Sequence, residues 1–353
     1  MGETYGVLIR RADLFLQWLP FAVMGVVAVV DLVAGPGFGY LPLLAVGPAF
    51  ASLRCGVRQT ALVGLFALAL CVFLAAYDQV LGHRQNNLLL CSIVGVTMAS
   101  VLASAGRQQR ERELANVRTI AEVAQRVLLR PVPRWAGPVR IAVSYTSAAA
   151  EARIGGDLYE VVKSPSGVRI LVGDVQGKGL EAVETAAAVV GAFREAAYDE
   201  PDLSKVVARI ESTLDRSLSG EKFVTAVLAE YADGQITLLS CGHPPPLMLS
   251  ANGEVHFVEA DEPTPPLGMM GLVDAEPQPC PIRFAPGDQM LFYTDGVIEA
   301  RDRSGRFYPL EERSSLLKAA VAEQALEDLR ADLVRHVGGT LTDDAAMLLI
   351  RHR

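Results

Sequence analysis

Four acidic positions stand next to short apolar runs that are typical of buried strands. In chain order they are Asp157 after Ile154–Gly156, Asp174 after Ile170–Gly173, Asp295 after Met290–Thr294, and Asp343 with Asp344 before Ala345–Ile350. A carboxylate at the edge of a core strand is costly to bury unless its charge is compensated. Several such acids meeting at one end of a sheet would repel one another. Bound Mg²⁺ or Mn²⁺ offsets that repulsion, because hard cations take carboxylate oxygens and water as ligands.

The set of acids therefore indicates a divalent-metal site at strand ends. Taken singly, each acid has a simpler interpretation, because an aspartate beside glycine is commonly a turn residue. The hypothesis depends on the whole set and on the segments that contain it.

The acids lie among seven segments whose order resembles the SpoIIE-type branch of the metal-dependent protein phosphatases, bacterial relatives of the type-2C serine/threonine phosphatases. The segments are Glu151–Glu160, Val172–Gly179, Phe223–Ala226, Cys241–Pro246, Pro265–Gly268, Leu291–Ala300 and Thr342–Ala346. They read EARIGGDLYE, VGDVQGKG, FVTA, CGHPPP, PPLG, LFYTDGVIEA and TDDAA. The resemblance covers about Val139 to Arg351, and the ordered set is far more specific than any one motif.

The resemblance implies two packed antiparallel sheets flanked by helices, with two divalent cations, Mn²⁺ or Mg²⁺, at one end. Asp174 would bridge the two ions, and the Val175 carbonyl would assist one of them. Asp295 and Asp343 would ligate metal directly, whereas Asp157 would hold metal-bound water or a loosely bound extra ion. A bridging water of lowered pKa would attack phosphorus in line without a phosphoenzyme. The implied reaction is hydrolysis of phosphoserine or phosphothreonine on a protein.

Two basic residues are candidate substrate-binding groups. Lys178 stands where the glycine-rich turn of the family usually carries histidine. A lysine can contact phosphate as a point charge, but it is a poor general acid at its ordinary pKa, and a solvated turn residue is the alternative. Arg153 is a second candidate phosphate contact, with a surface ion pair as its alternative. His243 lies in a Gly-His-Pro turn and is predicted to be a structural hydrogen-bonding residue.

Residues 134–353 are predicted to form an α+β domain, because strands and helices come in separated blocks. The predicted strands are Val139–Tyr145, Val168–Val175, Phe223–Tyr231, Gln235–Leu239, Met290–Tyr293 and Asp344–Ile350. The predicted helices are Gly179–Tyr198, Leu203–Leu218, Leu310–Ala322 and Ala325–His336. Together with the resemblance, this order implies an α/β/β/α sandwich.

The chain is 51% hydrophobic, and its excess over an ordinary soluble protein lies almost entirely in four apolar runs within residues 1–106. They are Leu14–Val33, Phe38–Leu53, Ala61–Ala76 and Leu88–Ala105. Each approaches the ~20 residues that a helix needs to cross a bilayer, although the second and third are short. Buried core helices are the alternative. The pattern predicts a four-helix transmembrane region in contact with the lipid bilayer.

The basic residues near these runs predict the orientation of the chain. They are Arg10 and Arg11, then Arg54 and Arg58, then Arg107, Arg110 and Arg112. Because cytoplasmic loops carry the excess of arginine and lysine, the amino terminus and everything after Arg107 are predicted to be cytoplasmic. The protein is then a multi-pass protein of the plasma membrane or inner membrane.

Residues 107–133 are predicted to be a helical connector. Apolar residues recur at alternating steps of three and four, as in a short heptad seam: Leu114, Val117, Ala121, Ala124 and Leu128. A parallel homodimer through this helix is one interpretation, and a single amphipathic helix lying on the catalytic domain is the other. Pro131 and Pro133 end the helix.

Charge and cysteine spacing exclude other classes. A net charge of −8 gives no electrostatic footprint for nucleic acid, and five cysteines without a CxxC pair do not suggest zinc. The main hypothesis is a phosphoprotein phosphatase, and the resemblance implies anti-sigma-factor antagonists as the substrate class. A catalytically weak or inactive phosphatase-fold scaffold is the alternative. A membrane-bound nucleotide cyclase ranks lower, because no base-recognising Lys–Asp pair or Asn–Arg pattern follows the second acid.

Overall fold

The chain divides into two compact units, Met1–Asn116 and Val117–Arg353, and each contains its own hydrophobic core. The computed structural model describes residues 18–33, 40–77, 84–147, 155–217, 222–260, 262, 264–272 and 277–353. The boundary between the units falls inside one long helix, between the boundaries at 106 and 133 that the sequence predicts.

The amino-terminal unit is helical throughout its described part. Its helices are α1 (Trp18–Val33), a 3-10 turn (Leu41–Ala45) that leads into α2 (Val46–Arg54), α3 (Val57–Tyr77) and α4 (Arg84–Leu128). Two segments, Val57–Tyr77 and Asn87–Val117, are both long and apolar enough to cross a membrane.

The prediction of four spanning helices is therefore confirmed only in part. The second apolar run is divided, because proline near the start of the 3-10 turn and the Cys55-Gly56 break after α2 leave only a short helix. The first run is described from Trp18 onward and forms a shorter apolar helix. Arg10, Arg11 and the loop residues 34–39 and 78–83 lie outside the described residues.

The carboxy-terminal unit contains two antiparallel sheets. Its strands are β1 (Trp135–Ala136), β2 (Val139–Thr146), β3 (Leu158–Ser164), β4 (Gly167–Val175), β5 (Val224–Ala232), β6 (Gln235–Cys241), β7 (Leu247–Leu249), β8 (Val255–Phe257), β9 (Cys280–Arg283), β10 (Gln289–Tyr293) and β11 (Ala345–His352). The first sheet has the order β1-β2-β11-β10-β7-β8, and the second has the order β3-β4-β5-β6-β9.

Strand β11 shows how the layers are built. Ala346, Leu348 and Ile350 point into the core that the two sheets share, while Met347 and Leu349 point the other way, into a second core. That second core contains α8 (Ala322–Val337) and the 3-10 helix Glu311–Lys318. The helices α5 (Leu180–Asp199) and α6 (Leu203–Ser217) pack on the other sheet. The layer order is the predicted α/β/β/α sandwich.

Several predicted elements differ from the structure. The predicted helix Leu310–Ala322 is the 3-10 helix Glu311–Lys318, and Ala322 already begins α8. Strand β3 was not predicted, because its first five residues are all buried and show no alternation of polar and apolar residues. The short strands β7, β8 and β9 are too brief to give a periodic signal.

Arg169 ties the second sheet to the end of α5. Its guanidinium is fully buried and lies 2.5 Å from Glu230 on the neighbouring strand. It also donates to the carbonyl oxygens of Ala197, Glu200 and Pro201 at 2.7–3.1 Å. The Ala197 and Glu200 carbonyls belong to the end of α5, where helix geometry leaves them without backbone partners, and Pro201 follows directly.

Replacing Arg169 with Met should destabilise residues 117–353 by about 3–5 kcal/mol, because Glu230 and three carbonyls would lose a buried partner. Urea unfolding followed by circular dichroism measures the change. The matched control is Arg209→Met, which removes surface ion pairs with Glu195 and Glu200 and should cost about 0–1 kcal/mol. Equal effects for the two variants would show that the buried pair contributes no more than the exposed one.

Candidate metal centre at the strand ends

Asp157 and Asp174 face each other at one end of the second sheet. Leu158 on β3 pairs with Gly173 on β4, so the same antiparallel register places Asp157 opposite Asp174 one residue further along. Asp157 is only 3% exposed. The two carboxyl groups are therefore brought together by backbone pairing.

Asp295 and Asp343 come from the first sheet. Asp295 begins the short helix α7 (Asp295–Ile298) two residues after β10, and Asp343 precedes β11 by two residues. Strands β10 and β11 pair with Tyr293 opposite Met347, so both acids lie past the same end of the sheet. Thr294, next to Asp295, donates to Asp157 at 2.8 Å, and Lys178, four residues after Asp174, lies 2.7 Å from Asp343, so the acids of the two sheets lie at one site.

The acids disfavour one another's ionisation. Burial, with added repulsion from Asp174, raises the pKa of Asp157 well above its ordinary value. Burial and the charges of Asp295 and Asp343 raise the pKa of Asp174 to about 7. The pKa of Asp295 is also raised, first by burial and then by the charges of Glu299 and Asp343. Raised carboxyl pKa values of this kind mark a site that lacks positive charge.

The donor atoms of the site fit Mg²⁺ or Mn²⁺. They are carboxylate oxygens with a backbone carbonyl, the ligands that hard divalent cations prefer. Among the described residues, no three histidine, cysteine, aspartate or glutamate side chains already meet as a closed metal-binding cluster. The acids lie within reach of one another's charge.

Lys178 lies among these acids. Its ammonium nitrogen is 2.7 Å from Oδ1 of Asp343. Gly177 and Gly179 flank it with φ of 96° and 89°, backbone conformations that favour glycine. The sequence-predicted phosphate contact is therefore held by a carboxylate in this structure.

Thr294 links the two sheets through Asp157. Its hydroxyl donates to Oδ2 of Asp157 at 2.8 Å and accepts from the Ala346 backbone N–H at 2.9 Å. The Thr294 backbone N–H in turn donates to the Ala346 carbonyl at 3.1 Å. Thr294 is fully buried. It fixes the position of a second-sheet acid from the end of a first-sheet strand.

His243 makes a second link between the sheets. Its Nε2 lies 3.0 Å from the Tyr293 carbonyl, and its Nδ1 lies 3.1 Å from the Thr225 hydroxyl. Burial lowers the pKa of His243 to about 4, so the ring is neutral at physiological pH. A neutral ring that donates from Nε2 accepts at Nδ1. His243 has the structural hydrogen-bonding role that the sequence predicts.

Asp344 lies beside the acid cluster with hydrogen-bond partners of its own, and its charge also acts on Asp157. It is 2% exposed, the Tyr145 hydroxyl donates to its Oδ2, and the Gly155 backbone N–H donates to the same oxygen at 3.0 Å. Gln125 of α4 donates to the Tyr145 oxygen at 2.8 Å and to the Gly155 carbonyl at 3.2 Å. These contacts favour Asp343, not Asp344, as the metal ligand.

Gly156 is required by a close approach of the backbone. A Cβ atom at this position would lie 2.4 Å from the Val175 carbonyl oxygen. The Val175 N–H also donates to the Gly156 carbonyl at 3.2 Å. The absence of a side chain therefore lets the chain before Asp157 lie against the carbonyl that the sequence predicts as a metal ligand.

The structure brings most of the predicted site residues together. Asp157, Asp174, Asp295, Asp343 and Lys178 share the strand-end site, and Arg153 lies outside the described residues.

Sequence reasoning missed Thr294, Tyr145 and Gln125. Thr294 could have been found from the sequence, because it directly precedes the predicted ligand Asp295 and its hydroxyl can therefore hydrogen-bond within the site. Tyr145 and Gln125 could not, because their contacts depend on the packing of distant segments.

Known proteins resemble this chain over most of its length. Phosphoserine phosphatase RsbU of Bacillus subtilis is 22% identical over 277 residues, which cover 76% of this chain and 79% of RsbU. The crystal structure of the RsbU and RsbW domains of Rv1364c from Mycobacterium tuberculosis is 25% identical with a TM-score of 0.51, covering 61% of this chain and 60% of that one. The SiaA-PP2C domain of Pseudomonas aeruginosa shares the fold at 18% identity and a TM-score of 0.57, covering 69% of this chain and 99% of that domain.

The sandwich is a PP2C-like phosphatase fold, which the SiaA-PP2C domain shares. The family model for Stage II sporulation protein E (SpoIIE) matches residues 164–353. The chain belongs to the SpoIIE family.

Replacing Asp174 with Asn should stabilise residues 117–353 in the absence of metal by about 1–2 kcal/mol at pH 8, because one buried charge is removed. Folding raises the pKa of this carboxyl from 3.8 to about 7. The wild type therefore loses stability as pH rises through that range. The difference in free energy of unfolding between wild type and Asp174→Asn should grow over the same pH range.

Urea unfolding in a chelator, repeated from pH 4 to 8, measures this difference. Adding Mn²⁺ should stabilise the wild type and leave Asp174→Asn nearly unchanged. A metal-free variant that is less stable than wild type at every pH would contradict the repulsion on which the site is argued.

Proposed function

We propose that the chain is a membrane-anchored phosphatase that uses two divalent cations, Mn²⁺ or Mg²⁺, to hydrolyse phosphoserine or phosphothreonine on a partner protein. The observation that supports this most directly is the meeting of acids from two sheets at one strand end, with raised carboxyl pKa values. Four principal acids of the family pattern are present in the chain.

The acids would have different roles in binding the ions. Asp174 is central, since the charges of Asp295 and Asp343 both reach it, and the Val175 carbonyl lies beside it. Asp157 is kept in place by Thr294 and is suited to orient a water molecule. When bound, the ions would supply a nucleophilic water of lowered pKa and neutralise charge on the phosphoryl oxygens.

The proposed substrate is a phosphorylated signalling protein, an anti-sigma-factor antagonist being the class that the family resemblance implies. RsbU is named a phosphoserine phosphatase, and the solved Rv1364c structure contains RsbU and RsbW domains in one protein. The chain spans 60% of that solved structure, so its partners are proposed and not transferred.

The membrane anchor is proposed from the surface of the amino-terminal unit. Large apolar side chains point outward from α3 and α4, and more than 60% of each is exposed in Leu62, Phe73, Leu88 and Leu102. Such a surface is unfavourable in water and typical of helices that face lipid. We propose four membrane segments, with the amino terminus and the phosphatase domain in the cytoplasm.

A homodimer through α4 is proposed with a different seam from the predicted one. Ala124 and Leu128 are only partly exposed, because they pack against the phosphatase domain of their own chain. Val117, Ile120, Val123 and Val127 expose more than half of their side chains. Exposed β-branched residues at such spacing are typical of the contact face of a two-stranded coiled coil.

Purified residues 107–353 should hydrolyse p-nitrophenyl phosphate with Mn²⁺ and stop when EDTA is added. Asp295→Ala should lower kcat/KM at least about a hundredfold, because metal assistance contributes several kcal/mol to the transition state. The control is Asp328→Asn, which changes a partly exposed carboxylate on α8 that accepts a hydrogen bond from Gln324 and should leave the rate unchanged.

Full activity of Asp295→Ala would contradict the metal mechanism. An absence of turnover with p-nitrophenyl phosphate and with phosphorylated antagonist proteins, despite bound Mn²⁺, would favour the inactive scaffold instead. Formation of cyclic nucleotide from ATP would contradict the phosphatase assignment.

A reporter inserted after Tyr77 should lie outside the cytoplasm, because the proposed third segment ends there. Paired alkaline phosphatase and green fluorescent protein fusions at Tyr77 and after Arg112 measure the two sides. Fluorescence at both positions would contradict the four-segment topology.

A further inference from the structure

Lys178 places a positive charge beside an acid that is proposed to bind a metal ion, and that charge opposes binding of the ion. Its ammonium nitrogen lies 2.7 Å from Oδ1 of Asp343, an acid to which the proposed function gives a metal ion. Both side chains are partly accessible, at 35% and 48% exposure, so the pair can open without disturbing the core. The positively charged ammonium group of Lys178 is thus already paired with the carboxylate that a divalent metal ion would need.

The charge of Lys178 acts beyond Asp343. It opposes the repulsion that raises the pKa of Asp174 and of Asp295. Lys178 therefore contacts one acid of the site and reduces the electrostatic cost of two more. In the absence of metal, it partly neutralises the cluster.

We propose that Lys178 and a divalent ion compete for Asp343, so that Lys178 sets the concentration of metal that the enzyme requires. The inference rests on the proposed function. An ammonium and a metal ion bound to the same carboxylate oxygen would repel each other at short distance. Binding of the ion then releases Lys178, and the phosphate contact predicted for Lys178 belongs to that released state.

The opposite arrangement makes the opposite prediction. If Lys178 only orients Asp343 toward the ion, its removal would leave Asp343 less ordered and weaken metal binding. If the two cations compete, removal of the ammonium strengthens metal binding and destabilises the metal-free protein. The sign of the change in affinity therefore decides between competition and orientation.

The test is Mn²⁺ titration of the full-length protein in detergent micelles, with free Mn²⁺ measured by its electron paramagnetic resonance signal. Lys178→Met should lower the Kd for Mn²⁺ roughly three- to tenfold, a modest factor because the ion pair is partly exposed. Lys178→Arg keeps the charge and should stay within about twofold of wild type. Circular dichroism confirms that each variant is folded.

Lys222→Met is the matched control. Lys222 lies 2.9 Å from Glu181 and is also 35% exposed, so the variant removes an equivalent charge from an ion pair that does not include a site acid. Its Kd for Mn²⁺ should equal that of the wild type. A second measurement is thermal unfolding, in which Lys178→Met should lower the metal-free Tm and enlarge the rise in Tm that Mn²⁺ produces.

The outcomes separate this inference from the proposed function. If wild type binds Mn²⁺ and Lys178→Met binds it equally or more weakly, competition is wrong and the metal site stands. If Lys222→Met tightens binding as much as Lys178→Met, the effect is one of net charge and the specific competition is wrong. If wild type removes no Mn²⁺ from solution, the metal centre itself is wrong.

Discussion

The repulsion among Asp157, Asp174 and Asp295 is the interaction on which the organisation of the catalytic domain depends. Burying several carboxylates together opposes folding. The surrounding groups each offset part of that unfavourable free energy. Thr294 donates to Asp157, and Lys178 supplies positive charge beside Asp343. Asp344 accepts hydrogen bonds from Tyr145 and Gly155, which stabilise a further acid beside the cluster. In the proposed function, the remaining deficit of positive charge is what would favour binding of divalent ions at the site.

The sandwich brings the negatively charged acids close together because the strand ends of its two sheets lie at the same side of the domain. Backbone register alone places Asp157 opposite Asp174 and brings Asp295 and Asp343 past the paired ends of β10 and β11. Thr294 and His243 then join the two ends by hydrogen bonds. The relative positions of the acids are therefore fixed by strands and buried side chains, which are more rigid than loops. Such rigidity suits a site whose ligands must be held at short, defined distances.

Much of this arrangement could be predicted from local sequence. The apolar runs that end in Gly173 and Thr294 predicted strands followed by acids, and the ordered motifs predicted the sandwich. Strand β3 was missed because burial on both faces removes the alternation that marks a strand. Tyr145 and Gln125 could not be found, since their contacts join segments that only packing brings together. The sequence left two interpretations of α4 open, because Ala124 and Leu128 fit both a coiled coil and the surface of the domain, against which they pack in the structure.

The position of the acids on two different sheets has a consequence for the lifetime that the protein would have in a cell. Because the acids come from both sheets, an ion can hold them together only while the sandwich is intact, and binding favours the folded chain over any opened one. Proteases act on opened chains. A cell short of divalent ions would then contain less of this protein as well as less of its activity, so that ion supply would govern abundance and catalysis through the same few carboxylates.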